Sequence, residues 1–133
     1  MMAIMKILLA VLACVCATGC AAPQNPKVLT PLDNGREFTL AVGQVLVVNL
    51  PSNRTTGYSW TLLSTNETVL EPVGEAEYQR NPAPTGMVGV GGNEIWRFRA
   101  AKTGRETLRL GYARPWEKGV APVQTVAYDV TVK

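Results

Sequence analysis

The feature that most constrains the fold is a strict alternation of apolar and polar residues with a period of two. Phe38, Leu40 and Val42 begin this pattern, which recurs over residues 95–99, 107–112 and 125–132. Such alternation directs successive side chains to opposite faces of a β-strand. Gly, Pro and Asn separate the runs, as turn residues do. No segment keeps an apolar stripe at helical spacing, so the sequence predicts an all-β chain.

The length and spacing of the strands predict an antiparallel β-sandwich with its loops gathered at two ends. Residues 44–50 form a nearly continuous aliphatic run, which is typical of a strand covered on both faces. Residues 78–92 contain two Pro and four Gly, and we expect them to be mostly loop. A chain of 133 residues fits one such domain.

Composition excludes several classes of function. The chain has no His, which removes Ser-His-Asp and Cys-His catalysis, histidine metal sites and the usual near-neutral proton shuttle. A formal net charge of +3 is too small and too scattered for a nucleic-acid-binding surface. We therefore expect no catalytic residues, no metal, no cofactor and no nucleic-acid partner.

The beginning of the chain resembles an export signal. Lys6 is the only charged residue before residue 27, and the apolar run over residues 7–16 is shorter than a membrane-spanning helix requires. The tetrad Ala17-Thr18-Gly19-Cys20 resembles a bacterial lipobox, in which the Cys is acylated and becomes the first residue. The alternative is ordinary cleavage near Ala22, which would discard Cys20 with the signal.

We accordingly predict three regions. Residues 1–19 form a lipoprotein signal peptide, residues 20–35 the lipidated Cys20 and a tether, and residues 36–133 the folded domain. The lipid on Cys20 would anchor a monomer in the cell envelope, in the outer membrane facing the periplasm or at the cell surface.

Three loops carry residues that strand periodicity does not require. In the first, Asn53 can cap its own turn, Gly57 can supply a positive φ, and Thr55 and Thr56 place two hydroxyls at the tip. Tyr58, just after this turn, shares a strand face with Trp60. An ordinary hairpin turn leading an aromatic residue into the core is the alternative interpretation.

The second loop is rich in Gly, and the third combines a basic with an aromatic residue. Gly89-Val90-Gly91-Gly92 lacks the spacing of a phosphate cradle, so we interpret it as a tip whose backbone approaches another surface closely. Arg114-Pro115-Trp116 interrupts two strands, and Trp and Arg are the types most enriched among binding hot spots. A Trp folded back onto the sandwich rim is the alternative.

Taken in order, the three motifs resemble the chagasin-type inhibitors of papain-family cysteine peptidases, inhibitor family I42, over residues 36–133. The resemblance implies an immunoglobulin-like sandwich whose three loops form a wedge that closes the peptidase cleft without a covalent bond. Asn53, Arg54, Thr55, Thr56 and Gly57 would enter the cleft. One flank would be contacted by Gly89, Val90, Gly91 and Gly92, and the other by Arg114, Pro115 and Trp116.

One residue departs from the family pattern. Arg54 stands where the family usually has Pro, and losing Pro typically costs about 0.4–1 kcal/mol through the entropy of the unfolded chain. We therefore expect a freer first loop and weaker binding, unless the Arg54 charge favours an acidic cleft.

Two other classes of function remain as alternatives. An envelope lipoprotein that binds glycan or protein could use Trp60, Trp96 and Trp116, and would expose them on a sheet face or in a groove. A glycosidase would need a carboxylate pair, for which Glu75, Glu77 and Glu94 are the candidates. We expect these three to be solvated surface charges and the chain not to be an enzyme.

Overall fold

The computed structural model describes residues 24–64 and 68–133. Within them nine β-strands form two sheets. The first sheet contains β1 (Lys27–Leu29), β3 (Val45–Ser52), β5 (Leu70–Pro72), β6 (Glu77–Arg80) and β7 (Gly92–Ala100). The second contains β2 (Glu37–Leu40), β4 (Ser59–Leu62), β8 (Gly104–Ala113) and β9 (Gln124–Val132). The helices of these residues are short 3₁₀ turns at Pro31–Asp33 and Arg54–Thr56, and none is long or apolar enough to cross a membrane.

The all-β sandwich is confirmed, but its sheets are not purely antiparallel. The first sheet runs β1-β3-β7. The other edge of β7 is shared by two strands: β6 pairs with its first half and β5 with its second half. The second sheet runs β2-β9-β8-β4. The β1–β3 and β2–β9 pairs are parallel. Because β1 to β4 alternate between the two sheets, β1 and β2 pair with strands that do not follow them in sequence, so no hairpin forces these two pairs to be antiparallel.

The period-two alternation sets the core. On β9 the side chains of Val126, Tyr128, Val130 and Val132 are all buried, and their neighbours in the strand are not. Strand β3 follows the same rule, since Leu46, Val48 and Leu50 are buried and the residues between them are only partly covered. The expectation that residues 44–50 are covered on both faces is therefore wrong, because one face of β3 stays partly open to solvent.

The folded domain begins earlier than the sequence indicated. Residues Lys27–Leu29, assigned above to the tether, pair with Leu46 to Val48 of β3. The Leu29 side chain is 0% exposed within the core. The Tyr128 hydroxyl donates a 2.8 Å hydrogen bond to the carbonyl of Thr30. The corrected start is therefore Lys27 rather than Arg36, because one buried Leu adds an edge strand to the sheet.

Strand register brings three connections to one end of the sandwich. Ser52 at the end of β3 lies opposite Gly92 at the start of β7, and Tyr112 near the end of β8 lies opposite Gln124 of β9. Strand β4 begins at the same end, where Ser59 faces Ala113. The first loop (residues 53–58), the second (81–91) and the third (114–123) are therefore neighbours. The stretch 78–92 is mostly loop, as expected, with residues 78–80 in β6 and Gly92 at the start of β7.

Candidate functional site

The first loop is a tight turn built from its own side chains. The Asn53 Oδ1 atom accepts hydrogen bonds from the Thr55 backbone N–H at 3.2 Å and from the Thr55 hydroxyl at 2.5 Å. The Thr56 hydroxyl donates to the Asn53 carbonyl at 2.6 Å. Gly57 closes the turn with φ +82°, in the left-handed region. The cap and the positive φ expected from the sequence are both confirmed.

These bonds fix what the loop tip can offer a partner. Thr55 and Thr56 are exposed, and each directs its hydroxyl proton inward to Asn53. A hydroxyl has one proton and two lone pairs. The two hydroxyl oxygens therefore face outward mainly as hydrogen-bond acceptors.

Asn53 also connects the first loop to its neighbours. Its backbone N–H donates to the Tyr112 hydroxyl at 2.9 Å, and its Nδ2 donates to the Gly89 carbonyl at 3.2 Å. The ring of Tyr112 lies 5.3 Å from that of Tyr58 and 5.0 Å from that of Trp60. Asn53 thus holds the first and second loops together above an aromatic layer.

The second loop is closely packed where it joins β7 and exposed at its tip. A Cβ on Gly92 would overlap the Gln79 carbonyl, because β6 and β7 pair closely there. Gly89 is exposed with φ +73°. Just before it lie the exposed side chains of Met87 and Val88, which the sequence reasoning missed. Their only signal was two apolar residues beside a Gly-rich tip.

Arg114 binds the third loop to the first. Its Nε donates to the Thr56 carbonyl at 3.2 Å, and its guanidinium lies 4.5 Å from the centre of the Tyr58 ring. An ion pair of 3.2 Å with Glu117 completes its contacts. Arg114 therefore orders the site from within.

Trp116 is partly exposed and partly packed against the first loop. It remains 65% exposed, yet a Cβ on Gly57 would overlap its ring. Trp116 and Pro115 border a cleft of about 400 Å³ that also reaches Trp96 and Arg54. The outer edge of the six-membered ring thus points at the turn, and most of the indole is available to a partner.

Arg54 and Glu94 form an unexpected pair behind the tip. Glu94 is only 2% exposed, and its Oε2 accepts the Trp60 backbone N–H at 2.9 Å. Its Oε1 lies 3.9 Å from an Arg54 guanidinium nitrogen. The expectation that Glu94 is a solvated charge is wrong. Its place two residues before Trp96, on the inward face of β7, was the signal that could have revealed it.

The other carboxylates of the enzyme hypothesis are exposed, as expected. Hydrogen bonds from Gln79 and Arg97, together with the Arg97 charge, lower the pKa of Glu77. Glu75 is exposed beside β6. In residues 24–64 and 68–133 no group of three His, Cys, Asp or Glu side chains could hold a metal ion.

Two sheets packed face to face, with three interconnected loops at one end, define a loop-presenting domain of the immunoglobulin-like class. The model of the chagasin family of peptidase inhibitors, I42, matches residues 39–132. This chain belongs to that family. Because the family consists of inhibitors, the prediction that the chain is not an enzyme is confirmed.

Individual relatives agree with this assignment. Chagasin from Trypanosoma cruzi is 34% identical over 89 residues, which cover 66% of this chain and 81% of chagasin. Amoebiasin-2 from Entamoeba histolytica is 28% identical over 106 residues, 80% of this chain and 85% of its own. The crystal structure of the cysteine protease inhibitor EhICP2, also from Entamoeba histolytica, superposes with a TM-score of 0.72 at 27% identity. The match covers 81% of this chain and 96% of EhICP2.

Proposed function

We propose that this chain is a reversible, non-covalent inhibitor of papain-like cysteine peptidases, and that its three loops occlude the active-site cleft. Membership of a peptidase-inhibitor family and the likeness to the cysteine protease inhibitor EhICP2 support this function. The observation that carries it is the bonding of the loops to one another, through Asn53 to Gly89 and through Arg114 to Thr56.

The chemistry of the tip suits a Cys-His site. A papain-like centre holds a thiolate beside an imidazolium, and the imidazolium is a hydrogen-bond donor. The outward-facing hydroxyl oxygens of Thr55 and Thr56 can accept such a bond. A capped 3₁₀ turn does not present the extended backbone that the peptidase cleaves. The tip can therefore fill the site without being cut.

The bonds between the loops also favour tight binding. Side chains that must be ordered on association each cost about 0.5–1.5 kcal/mol. Here Asn53 and Arg114 already hold their loops in place. We therefore propose that Asn53, Arg54, Gly57, Gly92 and Arg114 hold the wedge together. The surface that touches the peptidase comprises Thr55, Thr56, Gly89, Val90, Gly91, Pro115 and Trp116, together with Met87 and Val88.

A titration of papain and a cathepsin L-like peptidase with the soluble chain from residue 21 tests this function. We expect Thr55→Trp and Trp116→Ala each to raise the inhibition constant at least about tenfold, the usual size of a hot-spot loss. Thr39→Trp is the matched control, because Thr39 is exposed on β2 at the opposite end of the sandwich. The proposal would be refuted if the wild type did not inhibit at micromolar concentration, or if the wild type and the three variants inhibited equally.

The positions of the tryptophans favour this function over glycan binding. Trp60 is buried, and Trp96 is packed against the core and stacked on Phe98. Trp116 is exposed on a loop. All three rings border the cleft beside the first loop, but Trp116 is the only one of the three that is exposed, and a sugar-binding platform needs exposed aromatics.

We further propose that the chain is exported and anchored in the cell envelope by lipid on Cys20. The motif that supports this, and the signal peptide before it, lie outside the described residues. Metabolic labelling with a fatty-acid analogue should mark the wild-type chain and not Cys20→Ser. An unlabelled chain that begins near Ala22 would instead indicate ordinary cleavage.

A further inference from the structure

Three strands meet around the side chain of Arg54. Its guanidinium lies 4.6 Å from the centre of the Tyr78 ring on β6 and 3.9 Å from the Glu94 carboxylate on β7. That carboxylate also accepts the N–H of Trp60 on β4, which belongs to the opposite sheet. Glu94 thus bridges the two sheets directly below the first loop.

The burial of Glu94 gives the pair its importance. A buried carboxylate without a compensating charge is strongly unfavourable. Removing one partner of a buried ion pair therefore destabilises the fold by more than the intact pair stabilises it. Arg54 supplies the compensating charge from the turn itself, since it is the first residue of the Arg54–Thr56 turn. A movement of the turn beyond what the Arg54 side chain can follow would separate the guanidinium from both Glu94 and Tyr78.

We propose that Arg54 is a positioning residue, which anchors the first loop through Glu94 and takes the place of the proline usual in the family. This inference rests on the proposed function and names how the same site is held. It replaces the expectation of a freer loop. The Arg54 carbonyl also accepts the Gly57 N–H at 3.0 Å, so the anchored residue forms part of the turn that carries Thr55 and Thr56.

Anchoring and charge steering make opposite predictions. If the Arg54 charge attracted an acidic cleft, Glu94→Gln would free that charge and raise the association rate in a salt-dependent way. If Arg54 anchors the loop, Glu94→Gln releases it, and the complex dissociates faster. Gln keeps an oxygen for the Trp60 N–H, so this variant retains the bridge between the sheets.

The test compares Arg54→Ala, Glu94→Gln, their double variant and Arg54→Pro/Glu94→Gln, with Arg99→Ala as matched control. Arg99 forms an exposed 2.9 Å pair with Glu71 away from the loop end. Association and dissociation rates on papain are measured, together with ¹⁵N relaxation of the Thr55, Thr56 and Gly57 amides in the free protein.

We expect each single variant to dissociate about tenfold faster with a nearly unchanged association rate, and the double variant to be no worse than either. The amides of Thr55, Thr56 and Gly57 should lose order in both single variants. Arg54→Pro/Glu94→Gln should recover slow dissociation, because Asn53 is extended rather than helical and the first position of a turn tolerates a Pro.

Three outcomes would overturn the inference: additive effects of the two single variants, unchanged loop order, or a loss confined to a salt-dependent association rate. If the loop amides lose order in the variants as expected but the protein inhibits no peptidase, the anchor is supported and the proposed function is refuted. The two failures are therefore distinguishable.

Discussion

Asn53 shows how a single side chain can serve both the turn and the wedge. Its Oδ1 caps the first loop, and its Nδ2 reaches the Gly89 carbonyl of the second. The cap joins neighbours in the chain, whereas the second bond joins residues that only the fold brings together. The two roles use different atoms, so substitution can separate them.

We predict that Asn53→Ala lowers the free energy of unfolding by about 1 kcal/mol, the usual cost of a lost cap. Asn53→Asp keeps an oxygen for the Thr55 N–H but loses the donor to Gly89, so it should retain most of the stability and still weaken inhibition. Urea unfolding and inhibition constants for both variants test this. Equal losses of stability would show that the two roles are not separable.

Gly57 meets two constraints that a side chain would violate. Its φ of +82° is unfavourable for other residues, and a Cβ would overlap the Trp116 ring. Gly43 has φ +90° with no neighbour within 4 Å of a Cβ, so Gly43→Ala measures the backbone term alone. That term is roughly 1–2 kcal/mol.

We predict that Gly57→Ala destabilises the protein more than Gly43→Ala, by thermal unfolding, and changes the Trp fluorescence. In the Trp116→Ala background the two glycine substitutions should become nearly equal. A persistent difference there would mean that Trp116 is not the obstacle.

At the scale of the element, β1 shows that one buried side chain can turn an apparent tether into a strand. Val28 remains exposed, but Leu29 enters the core and the backbone pairs with β3. The segment is only three residues long, too short for alternation to reveal it. The parallel pairing was equally invisible, because β1 lies next to β3 and not to its neighbour in sequence.

We predict that Leu29→Ala lowers the free energy of unfolding by about 2–5 kcal/mol, the range for deleting a buried Leu side chain. Leu32→Ala is the matched control, since Leu32 is 91% exposed three residues later. Urea denaturation with unchanged m-values would measure both. A Leu29 variant as stable as the Leu32 variant would restore residues 27–35 to the tether.

At the scale of the whole molecule, Tyr128 ties the core to the start of the chain. It is fully buried on β9, and its hydroxyl bonds to the Thr30 carbonyl that follows β1. Burial, together with the charge of Asp33, raises the pKa of Tyr128 to about 12. Between about pH 10 and about pH 12 the phenol is therefore protonated in the native protein and ionised in the unfolded chain.

We predict that the fold loses stability as pH rises from about 10 to about 12. Below that window the phenol is protonated in both states; within it the unfolded state releases the proton first, so the free energy of unfolding falls. Tyr128→Phe should flatten this part of the profile. Urea unfolding at several alkaline pH values measures it, and an unchanged slope in the variant would contradict the prediction.

The sequence alone determined what depends on residues close together in the chain. Alternation at i and i+2 placed Val126, Tyr128 and Val130 in the core, because strand geometry directs every second side chain to one face. The Asn53 cap and the Gly57 turn were equally readable, since they involve residues within one turn. The ordered motifs indicated the family before any contact was known.

Which distant residues meet depends on how the two sheets pack together. Arg54 and Glu94 are 40 positions apart, and no local pattern says whether a charge on β7 will face solvent or a guanidinium from a loop. Arg114 likewise proved to hold the first loop, and Leu29 to join a sheet. The physical reason is that burial and charge compensation depend on what packs opposite a residue, and that is set when the two sheets come together.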